Sequence, residues 1–83
     1  MFDPCFQHWR RVRWENAQSR RYYEARVVKN LFNEWEVLCL WGGIGTRLGG
    51  TSATPLASLG DAKAIIEKID ARRAKRHYLR VMG

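Results

Sequence analysis

Arg21-Tyr22-Tyr23-Glu24-Ala25-Arg26-Val27-Val28-Lys29, then Asn30-Leu31-Phe32-Asn33, then Glu34-Trp35-Glu36-Val37-Leu38-Cys39-Leu40-Trp41, is the stretch that decides the fold. Its first nine residues alternate: Tyr23, Ala25 and Val27 share one face, while Tyr22, Glu24, Arg26 and Val28 share the other. Aromatic and β-branched side chains favour this extended form. The two asparagines suit a tight connection. The return leg places Trp35, Val37, Cys39 and Trp41 opposite Glu36, Leu38 and Leu40, and its second half is apolar on both faces, as in a central strand. The stretch predicts a β-hairpin.

Upstream, His8 to Glu15 reads as another short strand, after a loose lead-in over residues 1–7. Trp9, Arg11 and Arg13 fall on one face of it, and Arg10, Val12 and Trp14 on the other. Asn16 to Ser19 reads as a loop. Downstream, residues 42–50 hold five glycines in nine positions and read as a loop or distorted strand. Thr51 to Ala57 reads as a short strand that Pro55 confines to an edge or a bulge.

Ser58-Leu59-Gly60-Asp61 resembles a capping box, with Asp in place of Glu or Gln. Ala62, Ile65, Ile66 and Ile69 then recur at helical spacing, an apolar stripe suited to lying on a sheet. Arg72, Arg73, Lys75 and Arg76 complement the negative end of that helix, a reading preferred here to a phosphate grip. Tyr78 to Val81 reads as a last strand. Strands followed by a helix predict an α+β fold, a small twisted antiparallel sheet of four to five strands packed against one C-terminal helix.

At 83 residues the chain is expected to be one domain, core about 8–80. It lacks a run long and apolar enough to span a bilayer, so no membrane partner is expected. Met1-Phe2-Asp3-Pro4 lacks the layout of a secretory signal. Cys5 and Cys39 stand far apart, and a reduced cytoplasmic protein is preferred to a disulfide-bonded one. No Cys-x-x-Cys, carboxylate pair, Walker sequence or nucleophile–base set occurs, so neither an enzyme, nor a metal, nor a cofactor is expected. His8 and His77 are isolated, and ordinary packing or surface roles suit them best.

Net charge is +7, and eleven of the fifteen cations are arginine. Guanidinium binds phosphate bidentately and stacks on flat rings. Arg10, Arg11, Arg13, Arg20 and Arg21 interleave with Trp9, Trp14, Tyr22 and Tyr23, the mixture expected of a nucleic-acid surface. A solvated strand face with internal cation–π pairs is the plainer alternative.

Together these segments resemble the WGR domain, named for its Trp-Gly-Arg motif. That family has a hairpin whose first strand opens basic-aromatic-aromatic, here Arg21-Tyr22-Tyr23. Its second strand runs into the signature, here Trp41-Gly42-Gly43-Ile44-Gly45-Thr46. A Gly-rich connection leads to an apolar residue and a helix, here Leu56, Ala62, Ile65, Ile66 and Ile69, then a basic segment ending in Tyr, here Lys75-Arg76-His77-Tyr78. The resemblance covers roughly residues 8 to 80. It implies an antiparallel sheet on a helix. It also implies binding of DNA, as in DNA-dependent poly(ADP-ribose) polymerases, where the signature Trp and Arg contribute contacts. Small bacterial proteins also carry the domain, and a nucleoid association would follow in that setting. By resemblance Trp41 takes the signature Trp position, but Gly43 stands where the Arg is expected, and Arg47 is the candidate replacement. The expected nucleic-acid site is Trp41, Arg47, Arg20, Arg21, Tyr22, Arg10 and Arg13. Docking of an acidic protein partner is the alternative function. Trp41 itself reads first as a core residue closing a buried strand and second as a stacking ring.

Overall fold

The computed structural model describes residues 11–46 and 48–82. Five strands, β1 (Arg11–Asn16), β2 (Arg21–Lys29), β3 (Trp35–Gly43), β4 (Leu48–Pro55) and β5 (Leu79–Met82), form one antiparallel sheet ordered β4-β3-β2-β1-β5. The single helix among the described residues, α1 (Leu59–Lys75), lies between β4 and β5 in the chain. The α+β expectation holds, with one sheet and one C-terminal helix.

The register follows from the alternation. Tyr23 pairs with Trp14 and Trp41, Ala25 with Val12 and Cys39, and Val27 with Val37. Every one of these side chains therefore falls on one face, and α1 covers it with Ala62 and Ile66. Val12, Ala25, Val37 and Ala62 are fully buried, and Trp14 is 1% exposed. Ile65, Ile69, Leu56 and Leu59 pack around this core. Full burial of a Val or Ile side chain contributes about 1.5–3 kcal/mol, so this one layer supplies most of the drive to fold. A part-buried polar bond sets the helix on the sheet: Trp14 Nε1 donates to Asp70 Oδ1 at 2.7 Å. The indole can thus be buried without losing a hydrogen bond.

Several boundaries differ from the sequence reading. The first strand reaches Asn16, and its expected start at His8 lies outside the described residues. β3 runs on through Gly42 and Gly43, because their backbones pair with Tyr22 and Arg21. β4 begins at Leu48 and includes Gly49 and Gly50, leaving only a short turn between the two strands. The edge position expected from Pro55 is observed. Ser58 is the N-cap in extended conformation, but its side chain makes no capping bond; only its carbonyl accepts from Asp61 N–H. The capping box is therefore not formed, and Asp61 acts through its charge in the first turn.

On the opposite face Glu24 is 2% exposed, although it has a charge. Arg11 Nε lies 3.4 Å from one carboxylate oxygen and Arg13 Nη1 3.6 Å from the other, and Arg26 Nε donates to the carboxylate. Burial pushes the Glu24 carboxyl up, but the hydrogen bond and charge of Arg26, joined by Arg11, outweigh it and hold the carboxyl below its ordinary value.

Candidate nucleic-acid interface

Where β2 begins and β3 ends, the sheet and the C-terminal end of α1 enclose an open groove of about 940 Å³. One wall is aromatic. Trp41 and Tyr23, paired across the strands, stack with ring centroids 5.9 Å apart and an interplanar angle of 9°. Trp14 tilts against the other side of Tyr23 at 6.1 Å and 59°. The second wall is cationic. Arg73 lies over Tyr23, its guanidinium carbon 4.5 Å from the ring centre, and 5.2 Å from that of Tyr78. Arg76 and Arg21 line the same groove, and Ser19 and Ser52 add hydroxyls.

Trp41 is half-buried, so neither a sealed core residue nor a free ring describes it. Its indole lies flat over the partner strand. A Cβ at Gly50 would stand 2.6–2.8 Å from three indole atoms, which only glycine avoids. A register shift between Trp41 and Gly42 accompanies this crossing. The Gly-rich sequence thus makes a bed for the ring.

Gly43, at the expected arginine position, is closed in a different way. Thr46 Oγ1 donates to the Gly43 carbonyl at 2.9 Å and occupies the space that a Cβ there would need. A side chain at 43 would have to turn Thr46 away and break that bond. The turn is built for glycine, and the cations of the groove come from the start of β2 and the C-terminal end of α1 instead.

The end of α1 is held firmly. His77 has φ 66°, and its N–H and that of Tyr78 donate to the carbonyls of Ala74 and Arg73. This is the left-handed closure usually made by glycine. Asn16 Nδ2 donates to the Arg76 carbonyl at 3.1 Å, tying the helix end to β1. Asn16 Oδ1 accepts from Gln18 and Ser19 N–H, folding the turn that leads to Arg20 at φ 55°. Arg73 is set so tightly between its two rings that its Nε is buried with no hydrogen-bond partner among the described residues. Its fork is fixed and available at the other nitrogens. Tyr23 is pushed up to about 12, first by burial and then by the neighbouring Cys39 thiol, against the pull of Arg73 and Arg72. It remains a neutral platform.

The expected site residues part company. Trp41 and Arg21 meet in the groove, and exposed Arg20 precedes it. The backbone of Tyr22 runs along the groove edge, but alternation sends its ring to the far face, under Arg13 at 4.4 Å. Arg13 is there bound to Glu15 at 2.8 Å and to Glu24. That pair forms the internal cation–π arrangement named as the plainer alternative. Arg10 and Arg47 lie outside the described residues. Among the described residues, Arg73, Arg76 and Tyr78 complete the groove. The signal for the two arginines was present: each follows Ile66 or Ile69 by seven residues, on the apolar stripe of the helix.

A family model of the WGR domain matches residues 7–82. The chain belongs to the WGR family. WGR domains are in general nucleic-acid-binding modules. No curated protein and no solved structure matches the chain. In this WGR domain the signature Trp forms one groove wall and the signature Arg is absent. Among the described residues no helix is long and apolar enough to cross a membrane, and no cluster of His, Cys, Asp or Glu is arranged for a metal.

Proposed function

We propose that this WGR domain binds DNA in the groove between Trp41 and Arg73, without catalysing a reaction. The observation that carries the reading is the meeting of a half-exposed stacked pair, Trp41 and Tyr23, with three guanidinium groups, those of Arg21, Arg73 and Arg76. Phosphates of the backbone are neutralised by the arginines, and an unpaired or terminal base or sugar stacks on the exposed part of the indole. Stacking of this kind is worth roughly 1–3 kcal/mol per base. Arg73 and Arg76 take over the charge that Gly43 does not carry. Arg20 extends the positive rim. Arg13 and Tyr22 are left to the far face.

DNA ends and nicks are preferred to continuous duplex, because only there does a base face become free to meet a ring. The test is binding to single-stranded, blunt, nicked and closed circular DNA at two salt concentrations. With about four phosphates neutralised, log K falls against log salt with a slope near −3.6. A fourfold rise in salt then weakens binding by roughly two powers of ten. Equal affinity for nicked and closed circles would remove the stacking step, and affinity unchanged by salt would remove the phosphate step.

A further inference from the structure

The β2–β3 turn displays the most exposed large apolar side chains among the described residues, Leu31 at 101% and Phe32 at 81%. The turn that carries them is closely specified. Asn30 Oδ1 accepts from Phe32 N–H at 2.9 Å and from Glu34 N–H at 3.0 Å, Asn30 N–H donates to the Glu34 carbonyl, and Asn33 takes φ 64°. A turn held this way fixes the backbone beneath its two apolar side chains, and they give nothing to the core. A preset turn backbone suits docking, because less ordering is left to do on contact.

The charge around the tip narrows the partner. From Lys29 to Glu36 the chain carries two carboxylates and one ammonium, in a molecule whose net charge is +7. Lys29 is drawn over the Trp35 ring at 5.3 Å, while Glu34 is exposed. A locally acidic apolar tip fits neither phosphates nor an anionic lipid surface. It fits a cleft with an aromatic wall and a basic rim, and this chain has one: the groove walled by Trp41 and Tyr23 and bordered by Arg21, Arg73 and Arg76.

The tip and the groove lie at opposite ends of the same strand pair. Tyr23 pairs with Trp41 at one end and Lys29 with Trp35 at the other. Six residues of strand, about 20 Å, keep a molecule from filling its own groove. We infer that the Leu31–Phe32 tip of one copy docks into the Trp41–Arg73 groove of a second copy, head to tail, and that nucleic acid competes with it for the groove. The inference rests on the groove being a docking site, not on DNA being its ligand. Glu34 and Glu36 face the rim arginines of the neighbour. Because the contact is heterologous, it continues from copy to copy instead of closing at a dimer.

Sedimentation equilibrium of the whole chain in buffer free of nucleic acid, from micromolar to millimolar, tests this. The expected result is a mass that climbs with concentration without a plateau at two. The tip variant L31S/F32S changes only exposed side chains and is expected to associate roughly tenfold more weakly or worse. The groove variant R21E/R76E, also at exposed positions, is expected to behave alike. An equal mixture of the two variants has one sound tip and one sound groove per pair, so it is expected to form dimers and nothing larger. A wild-type chain that stays monomeric, variants that associate as the wild type does, or a mixture that fails to pair would each overturn the inference. A tip variant that loses DNA binding instead would make the tip a wedge for base steps and overturn it as well. Because no DNA is present in the sedimentation, its failure leaves the DNA reading standing. Self-association without DNA binding would have the converse meaning.

Discussion

Replacing Gly50 by alanine isolates the Trp41 bed without touching a charge. The added Cβ would lie 2.6 Å from Cζ2, 2.7 Å from Cε2 and 2.8 Å from Nε1 of Trp41. Carbon atoms rest about 3.5–4.0 Å apart, so the indole must move by about 1 Å. The move lifts it from its stack with Tyr23, worth about 0.5–1.5 kcal/mol. Forced repacking of this kind costs about 1–3 kcal/mol in all. Loss of glycine's unfolded-state entropy offsets about 0.5–1 kcal/mol. The net expectation is a loss of about 1–2 kcal/mol, read as a fall in Tm of about 4–16 °C for a domain this size. DNA affinity should drop by roughly five- to a hundredfold if the ring stacks on a base. Thermal denaturation and a nicked-duplex titration read the two effects. Gly60→Ala is the control, since its Cβ meets only Ser58 Oγ, at 3.8 Å. It should raise stability by about 0.5 kcal/mol and leave binding alone. A Gly50→Ala protein as stable and as tight-binding as the wild type would refute the placement of the indole.

Three further outcomes follow from the polar groups. The Glu24 carboxyl is held below its ordinary value, so its contribution is present above about pH 4.5 and is lost as pH falls through the folded value. Glu24→Gln should cost about 1–2 kcal/mol near neutrality, a figure reduced for the solvent around its arginines, and should flatten the acid limb of a urea stability profile. Tyr23 is raised from 10.0 to about 12, so its contribution is complete below pH 10 and is lost as pH rises toward 12. The Tyr23→Phe protein should lose about 1–2 kcal/mol less over that alkaline range than the wild type. His77→Gly relieves a left-handed residue at φ 66° and should stabilise by about 0.5–1 kcal/mol in chemical denaturation, since the strain outweighs the added unfolded-state freedom.

The hairpin was legible because alternation and turn residues act over a few neighbours. Tyr23, Ala25 and Val27 declared their face, and Asn30 and Asn33 declared the turn. The stripe from Ala62 to Ile69 was legible for the same local reason. Gly42, Gly43, Gly49 and Gly50 could be read only as a loop or a distorted strand, and the structure makes them distorted strand, because their purpose is set across strands. Gly42 and Gly43 pair with Tyr22 and Arg21, and Gly50 makes room for Trp41. No window along the chain contains that relation. Arg73 and Arg76 were assigned to the helix dipole, which they do complement. That Arg73 also faces Tyr23 and Arg76 lines the groove depends on where α1 lies on the sheet, a tertiary fact fixed by Trp14 and Asp70. Tyr22 and Arg13 failed to join the groove for a simpler reason. Strand alternation separates Tyr22 from Tyr23, and a basic-aromatic run in a strand is divided between two faces.

If this domain binds DNA as proposed, nucleic acid meets the helix-side groove and not the arginine cluster around Glu24. Comparing Arg76→Gln with Arg11→Gln tests it, since each removes one exposed guanidinium, on opposite faces of the sheet. The measurement is the slope of log K against log salt for nicked DNA. The slope should become shallower by about 0.9 for Arg76→Gln and stay at the wild-type value for Arg11→Gln. A change confined to Arg11→Gln, or shared equally by both, would contradict the account.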